Sequence, residues 1–170
     1  MHEDPINQYP LPTQEQHNLV EKFLGRRPKG QYRIAKADTQ NSPVVLQVPP
    51  LIDGVPFPTV FWLCCPKIKK KIDHLEAAGL VKDWEKLIQK VPELFKKVQL
   101  DHERYRDYRW QLLSQEDIEN CDNPNKIKDL KEKGIGGVQK WTQIRCLHMH
   151  YAHHLVQGNT LGKMLDEQYF

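Results

Sequence analysis

Long apolar runs are missing from this chain of 170 residues. No stretch approaches the ~18 residues needed to span a bilayer. The opening MHEDPINQYPLP has neither the charged nor the apolar region of a signal peptide. A cytoplasmic location without membrane contact is therefore expected. Charge of one sign is scarce too: 25 Lys and Arg against 22 Asp and Glu leave a net +3. Nucleic-acid binders carry a larger, clustered excess, so there is no strong signal for that partner. The four cysteines, at 64, 65, 121 and 146, include no C-x-x-C pair. A cytosolic chain rarely relies on disulfides, which leaves these thiols free, metal-bound or catalytic.

What is present suits a globular domain. Hydrophobic residues make up 39% and charged residues 28%, too apolar a balance for a disordered chain. The length fits one domain with a real core. Residues 1–12 carry three prolines and read as an extended N-terminal arm; residues 13–170 read as a single compact α+β domain.

Local signals set the expected elements. Thr13 and Gln16 form a capping box before a helix that runs to Leu24 and ends at Gly25. Tyr32–Lys36, Val44–Val48 and Thr59–Leu63 are β-prone runs between prolines, with a turn at Asp53-Gly54. Pro66 suits a first helical position, which makes Cys65 the N-cap of a helix ending near Gly79. Asp83 is expected to cap a short helix, Pro92 to open a long one to Leu113, and Ser114 with Asp117 to box the next. Asn123 before Pro124 starts a charged helix. A strand over Lys140–Arg145 and a last helix over Leu147–Val156 complete the reading, with a short tail after Gly158. The sum is a small sheet of about four short strands against five to seven helices.

Two of these strands end in a cysteine at the start of a helix. Cys65 there would face open backbone N–H groups and the positive end of a helix dipole, both favouring thiolate. Its neighbour Cys64 then points inward as a small core residue. The run CLHMHYAHH at 146–154 holds five possible ligands. On an ideal helix Cys146, His150 and His153 share one stripe, with His148 nearly opposite. Cys65, Cys146 and two histidines would suit zinc, and an iron centre is the alternative. The ordinary alternative is histidines that bond backbone carbonyls or face solvent.

His102, Tyr105 and Arg109, at i, i+3 and i+7, share a helix face. They could supply a general acid or base, a phenol and an anion clamp, or simply belong to a charged surface helix. The loop GIGGV at 134–138 lacks the full phosphate-loop pattern. Gly136 and Gly137 could form an anion nest beside Arg145, or an ordinary turn.

PFPTVFWLCCP at 56–66, LEAAG at 75–79, the His102/Tyr105 helix, GIGGV and RCLHMHYAHHL at 145–155 occur in this order, followed by Asn159 and Gly162. Together they resemble the bacterial family known as domain of unknown function 501, over roughly residues 25 to 165. The resemblance implies no particular activity. It implies that Cys65, His102, Cys146, His148 and His153 sit at motif positions, with Arg145, Asn159 and Gly162 at others.

Three functional expectations follow. In the first, Cys65, Cys146 and His148, His150 or His153 hold a transition metal. His102 and Cys65 would then act on a small anionic substrate bound by Tyr105, Arg109 and Arg145. In the second, the Cys/His cluster only stabilises the fold, and the basic segments 26–29 and 67–71 dock a protein partner. In the third, Cys65 and Cys146 form a thiol redox pair.

Overall fold

The computed structural model describes residues 5–121 and 123–170. A 3-10 turn over Pro5–Asn7 leads into an irregular stretch that lies on the chain's own domain. Ile34 N–H donates to the Pro10 carbonyl at 2.9 Å, Arg33 donates to the Tyr9 carbonyl at 2.8 Å, and Tyr9 meets Phe61 edge to face. Residues 1–4 of the expected arm lie outside the described residues.

Helix α1 (Gln14–Leu24) starts at the reciprocal Thr13/Gln16 box and stops at Gly25, whose φ of 68° is the left-handed cap that glycine adopts without a Cβ penalty. Strands β1 (Arg33–Ala37), β2 (Pro43–Gln47) and β5 (Phe61–Leu63) form an antiparallel sheet in the order β1-β2-β5. Between them, β3 (Leu51–Ile52) and β4 (Val55–Pro56) make a small hairpin. Its turn residues Asp53 and Gly54 both have positive φ, as a tight hairpin turn requires.

Central β2 is buried along its whole length, because both faces of the sheet are covered. On one face Leu46, Val48, Ile34 and Cys64 pack with Val20 of α1. On the other, Val45, Phe61 and Leu63 belong to the main core with the remaining helices. These are α2 (Pro66–Ala77), α3 (Leu80–Lys90), α4 (Pro92–Gln111), α5 (Gln115–Glu119), α6 (Pro124–Glu132), α7 (Leu147–Gln157) and α8 (Thr160–Tyr169). The result is a compact α+β domain with eight α-helices and five short strands among the described residues.

Three local expectations need correction. Gly79, not Asp83, precedes α3, and Asp83 lies within its first turn. Lys140–Arg145 is a turn segment, not a strand. Its Ile144 N–H is taken by the Glu85 carboxylate at 2.8 Å, and Trp141 stacks on His102, so side chains hold it without a ladder partner. The expected tail is helix α8, whose open N–H at Gly162 is capped by Asn159 Oδ1 at 3.0 Å.

Helices α7 and α8 meet closely at Gly162. A Cβ built there would fall on Cβ and Cγ of His154. Gly162→Ala is therefore expected to destabilise the fold by about 3 kcal/mol, since neither backbone can move away alone. Urea unfolding checks this; a loss below about 0.5 kcal/mol would mean that the helix pair slides freely.

Candidate metal centre and its pocket

Helix α7 begins with Cys146 as its N-cap, in extended backbone, with no capping hydrogen bond from the thiol. One turn of α2 faces it. There Glu76 Oε1 accepts from Leu147 N–H at 2.5 Å, satisfying an open donor of the α7 first turn. His148 points the same way. Its Nε2 lies 3.1 Å from Asp73 Oδ1 and 3.3 Å from the Lys69 carbonyl, and its Nδ1 lies 3.3 Å from Glu76 Oε1.

Ligand atoms of Glu76, Cys146 and His148 all lie within 4.8 Å of one another, the one such His/Cys/acid group among the described residues. Two of the expected ligands, Cys146 and His148, are thus brought together. Cys65 is the half-buried N-cap of α2 and stands outside the group, as do His150 and His153. Glu76 was not expected. Its signal was available in the sequence, as the one acid of the LEAAG segment at the end of an amphipathic helix.

Burial pushes the Cys146 thiol up. The Glu76 carboxylate adds to that, while the N–H groups of Met149 and His148 and the Arg145 charge pull the other way. Cys64 is buried and pushed up to about 12, again chiefly by burial. Cys146 and His148 line a hollow of about 310 Å³ walled mainly by Leu24, Phe57, Trp62, Leu63 and Met149. Trp62 is a half-buried wall of this hollow.

His102, Tyr105 and Arg109 do share a face of α4, but that face is buried. Tyr105 Oη accepts from Val60 N–H at 2.7 Å and Phe61 N–H at 3.3 Å, which fixes the start of β5. Arg109 donates from Nε to the Leu130 carbonyl at 2.9 Å and from Nη1 to those of Pro58 and Gly134, at 3.0 and 3.1 Å. Its Nη2 reaches the Leu130 carbonyl at 2.6 Å and that of Lys133. All five guanidinium hydrogens are committed to the main chain. Neither residue lines the hollow.

The histidines form a separate buried group. His102 Nδ1 accepts from Ile135 N–H at 2.9 Å. Asn159 has its oxygen engaged by Gly162 N–H, so its Nδ2 is the donor to His153 Nδ1 at 3.2 Å and His150 Nδ1 at 3.4 Å. A ring whose Nδ1 accepts carries its neutral-state proton on Nε2. All three Nε2 atoms are buried without a hydrogen-bond partner among the described residues. Those tautomers present N–H groups, not lone pairs, and are wrong for metal ligation as they stand.

A family model described as Protein of unknown function (DUF501) matches residues 34–167. No curated protein and no solved structure matches the chain. The matched span runs from β1 into α8 and includes Glu76, Cys146, His148 and the three buried histidines. The chain belongs to this family of proteins of unknown function.

Proposed function

We propose that this chain holds one divalent transition-metal ion, zinc by its ligand chemistry, at Glu76, Cys146 and His148. The metal would serve a site that acts on a small anionic molecule. The observation that carries the reading is the pairing at His148. Asp73 and the Lys69 carbonyl both accept, so the proton belongs on Nε2 and the Nδ1 lone pair faces a carboxylate oxygen. Two acceptors 3.3 Å apart need a cation beside them. Metal–ligand bonds of ~2.0 Å in tetrahedral geometry put nitrogen and oxygen ligands ~3.3 Å apart. Asp73 behind the ring is the carboxylate partner that orients a metal-bound histidine. Three protein ligands leave a position for water or substrate, the pattern of catalytic rather than structural zinc.

Elemental analysis of tag-free protein purified without chelator tests this. About one equivalent of zinc is expected, lost in Cys146→Ser and His148→Gln and retained in Cys65→Ser. Folded, metal-free wild-type protein would end the proposal. It would favour the second reading, in which a proton replaces the metal and His148 bridges Asp73 and Glu76 as an ion-pair link between α2 and α7.

A further inference from the structure

A second hollow, of about 350 Å³, lies across Met149 from the first. The two share Pro58, Thr59 and Met149 as a common wall, with Thr59 Oγ1 donating to Met149 Sδ at 3.5 Å. Their linings differ in character. The first is apolar and aromatic. The second is lined by Arg145, Lys133, Asp129 and the Gly136–Gly137 backbone. The two glycines have φ of 70° and 76°, a conformation that keeps this wall free of side chains.

The cations of the second hollow are not equivalent. Lys133 Nζ is held by Asp129 Oδ2 at 2.7 Å. Arg145 is exposed and makes no hydrogen bond or ion pair among the described residues, although its aliphatic stem packs beside Gly136. The Pro58 and Gly134 carbonyls near these walls are bound by Arg109, not by Arg145. An unpaired guanidinium at the rim of a concave site is suited to forking a carboxylate or phosphate. In the first hollow Arg26 lies over the Trp62 ring at 5.8 Å, a stacking contact that extends the apolar wall.

We infer that the paired hollows bind an amphiphilic anion: an apolar chain or ring beside Phe57, Trp62 and Leu63, and a carboxylate or phosphate at Arg145. The occupant is a free small molecule, because a hollow of about 310 Å³ takes one short chain and is the size of a ligand pocket. The inference names the substrate class for the site proposed above but stands without the metal, since no part of the argument uses one.

Calorimetric titration of the full chain, stripped with chelator and desalted, tests it with octyl phosphate, inorganic phosphate and octanol. Octyl phosphate is expected to bind at least ~10-fold more tightly than either half-probe, because only it fills both hollows. Arg145→Gln is expected to weaken it ~10-fold and Arg26→Gln no more than ~3-fold, both with unchanged thermal melts. Arg145 is exposed, so its variant folds. Equal binding of octyl phosphate and inorganic phosphate would remove the apolar half of the inference, and equal binding of octanol the anionic half. A dominant loss in Arg26→Gln would place the anion at the wrong end. Octyl phosphate binding that appears only after zinc is restored would assign the anion to the metal and overturn the role of Arg145. Co-sedimentation with phosphatidylglycerol vesicles is expected to fail; Arg145-dependent sedimentation would make the ligand a membrane lipid and overturn the free-molecule assignment.

Discussion

Arg109→Lys is expected to lower unfolding stability by about 3–5 kcal/mol, enough to leave the chain marginal at neutral pH. The reason lies in what the guanidinium contacts. Helix α6 ends at Glu132, and its last carbonyls have no partners within the helix. Arg109 takes those of Leu130 and Lys133, then Gly134 beyond them, and adds Pro58 from the segment before β5. A positive charge at the negative end of α6 is well placed despite burial, which pulls its pKa down only to about 10. A lysine has three hydrogens on one atom and cannot reach all four carbonyls spread around the edge of the guanidinium. It would leave buried acceptors unpaired and strand a charge. Denaturant melts of the two proteins measure the loss, and hydrogen exchange should rise first in residues 57–60 and 133–138. A cost under about 1 kcal/mol would show that water replaces the guanidinium and that Arg109 is no clamp.

That clamp shows why the sequence was easier to read for fold than for site. Caps are written locally: Thr13/Gln16, Ser114/Asp117, Pro66 and Asn123 each announce a helix start, and each is present. Asn159 with Leu161 and Leu165 carried the same kind of signal for α8, but the short segment after Gly158 was read as a tail. The shared face of His102, Tyr105 and Arg109 was also legible, because helical spacing fixes it. Which way the face turned was not. A row of His, Tyr and Arg reads as surface chemistry, and only the carbonyls of residues 58, 130, 133 and 134, distant in sequence, make burial affordable. The stripe argument for Cys146 failed because an N-cap lies outside the helical repeat, so His148 on the α2 side became its neighbour. Glu76 lies 70 residues before Cys146 in sequence, and no local pattern joins them.

Acidification is expected to unfold the protein well above the pH at which its carboxylates titrate. His102 and His153 are held down to about 3, first by burial. For His102 the nearby His150, His153 and Arg109 add to it; for His153 the Asp101 carboxylate opposes it, while His150 and Arg104 add. In the unfolded chain both return to about 6.5. Between these values the unfolded state binds more protons, so stability is full above about pH 6.5 and falls with pH below it. Each histidine contributes up to about 1.4 kcal/mol per pH unit, so the pair removes about 3 kcal/mol between pH 6.5 and 5, a sizeable share of a typical domain's stability. His150, down to about 4 by burial, moves in the same direction. Urea melts at pH 7, 6 and 5 measure the slope. The imidazole resonances of His102, His150 and His153 in the folded chain should stay neutral through pH 6, and midpoints near 6.5 for these three would sink the assignment. Asn159→Asp supplies the control. It keeps an oxygen for the Gly162 cap but replaces the amide donor by an acceptor, which moves the protons of His150 and His153 to Nδ1 and favours their charged forms. Its acid slope should be shallower than the wild type's by about one histidine's contribution, although its stability at pH 7 is lower.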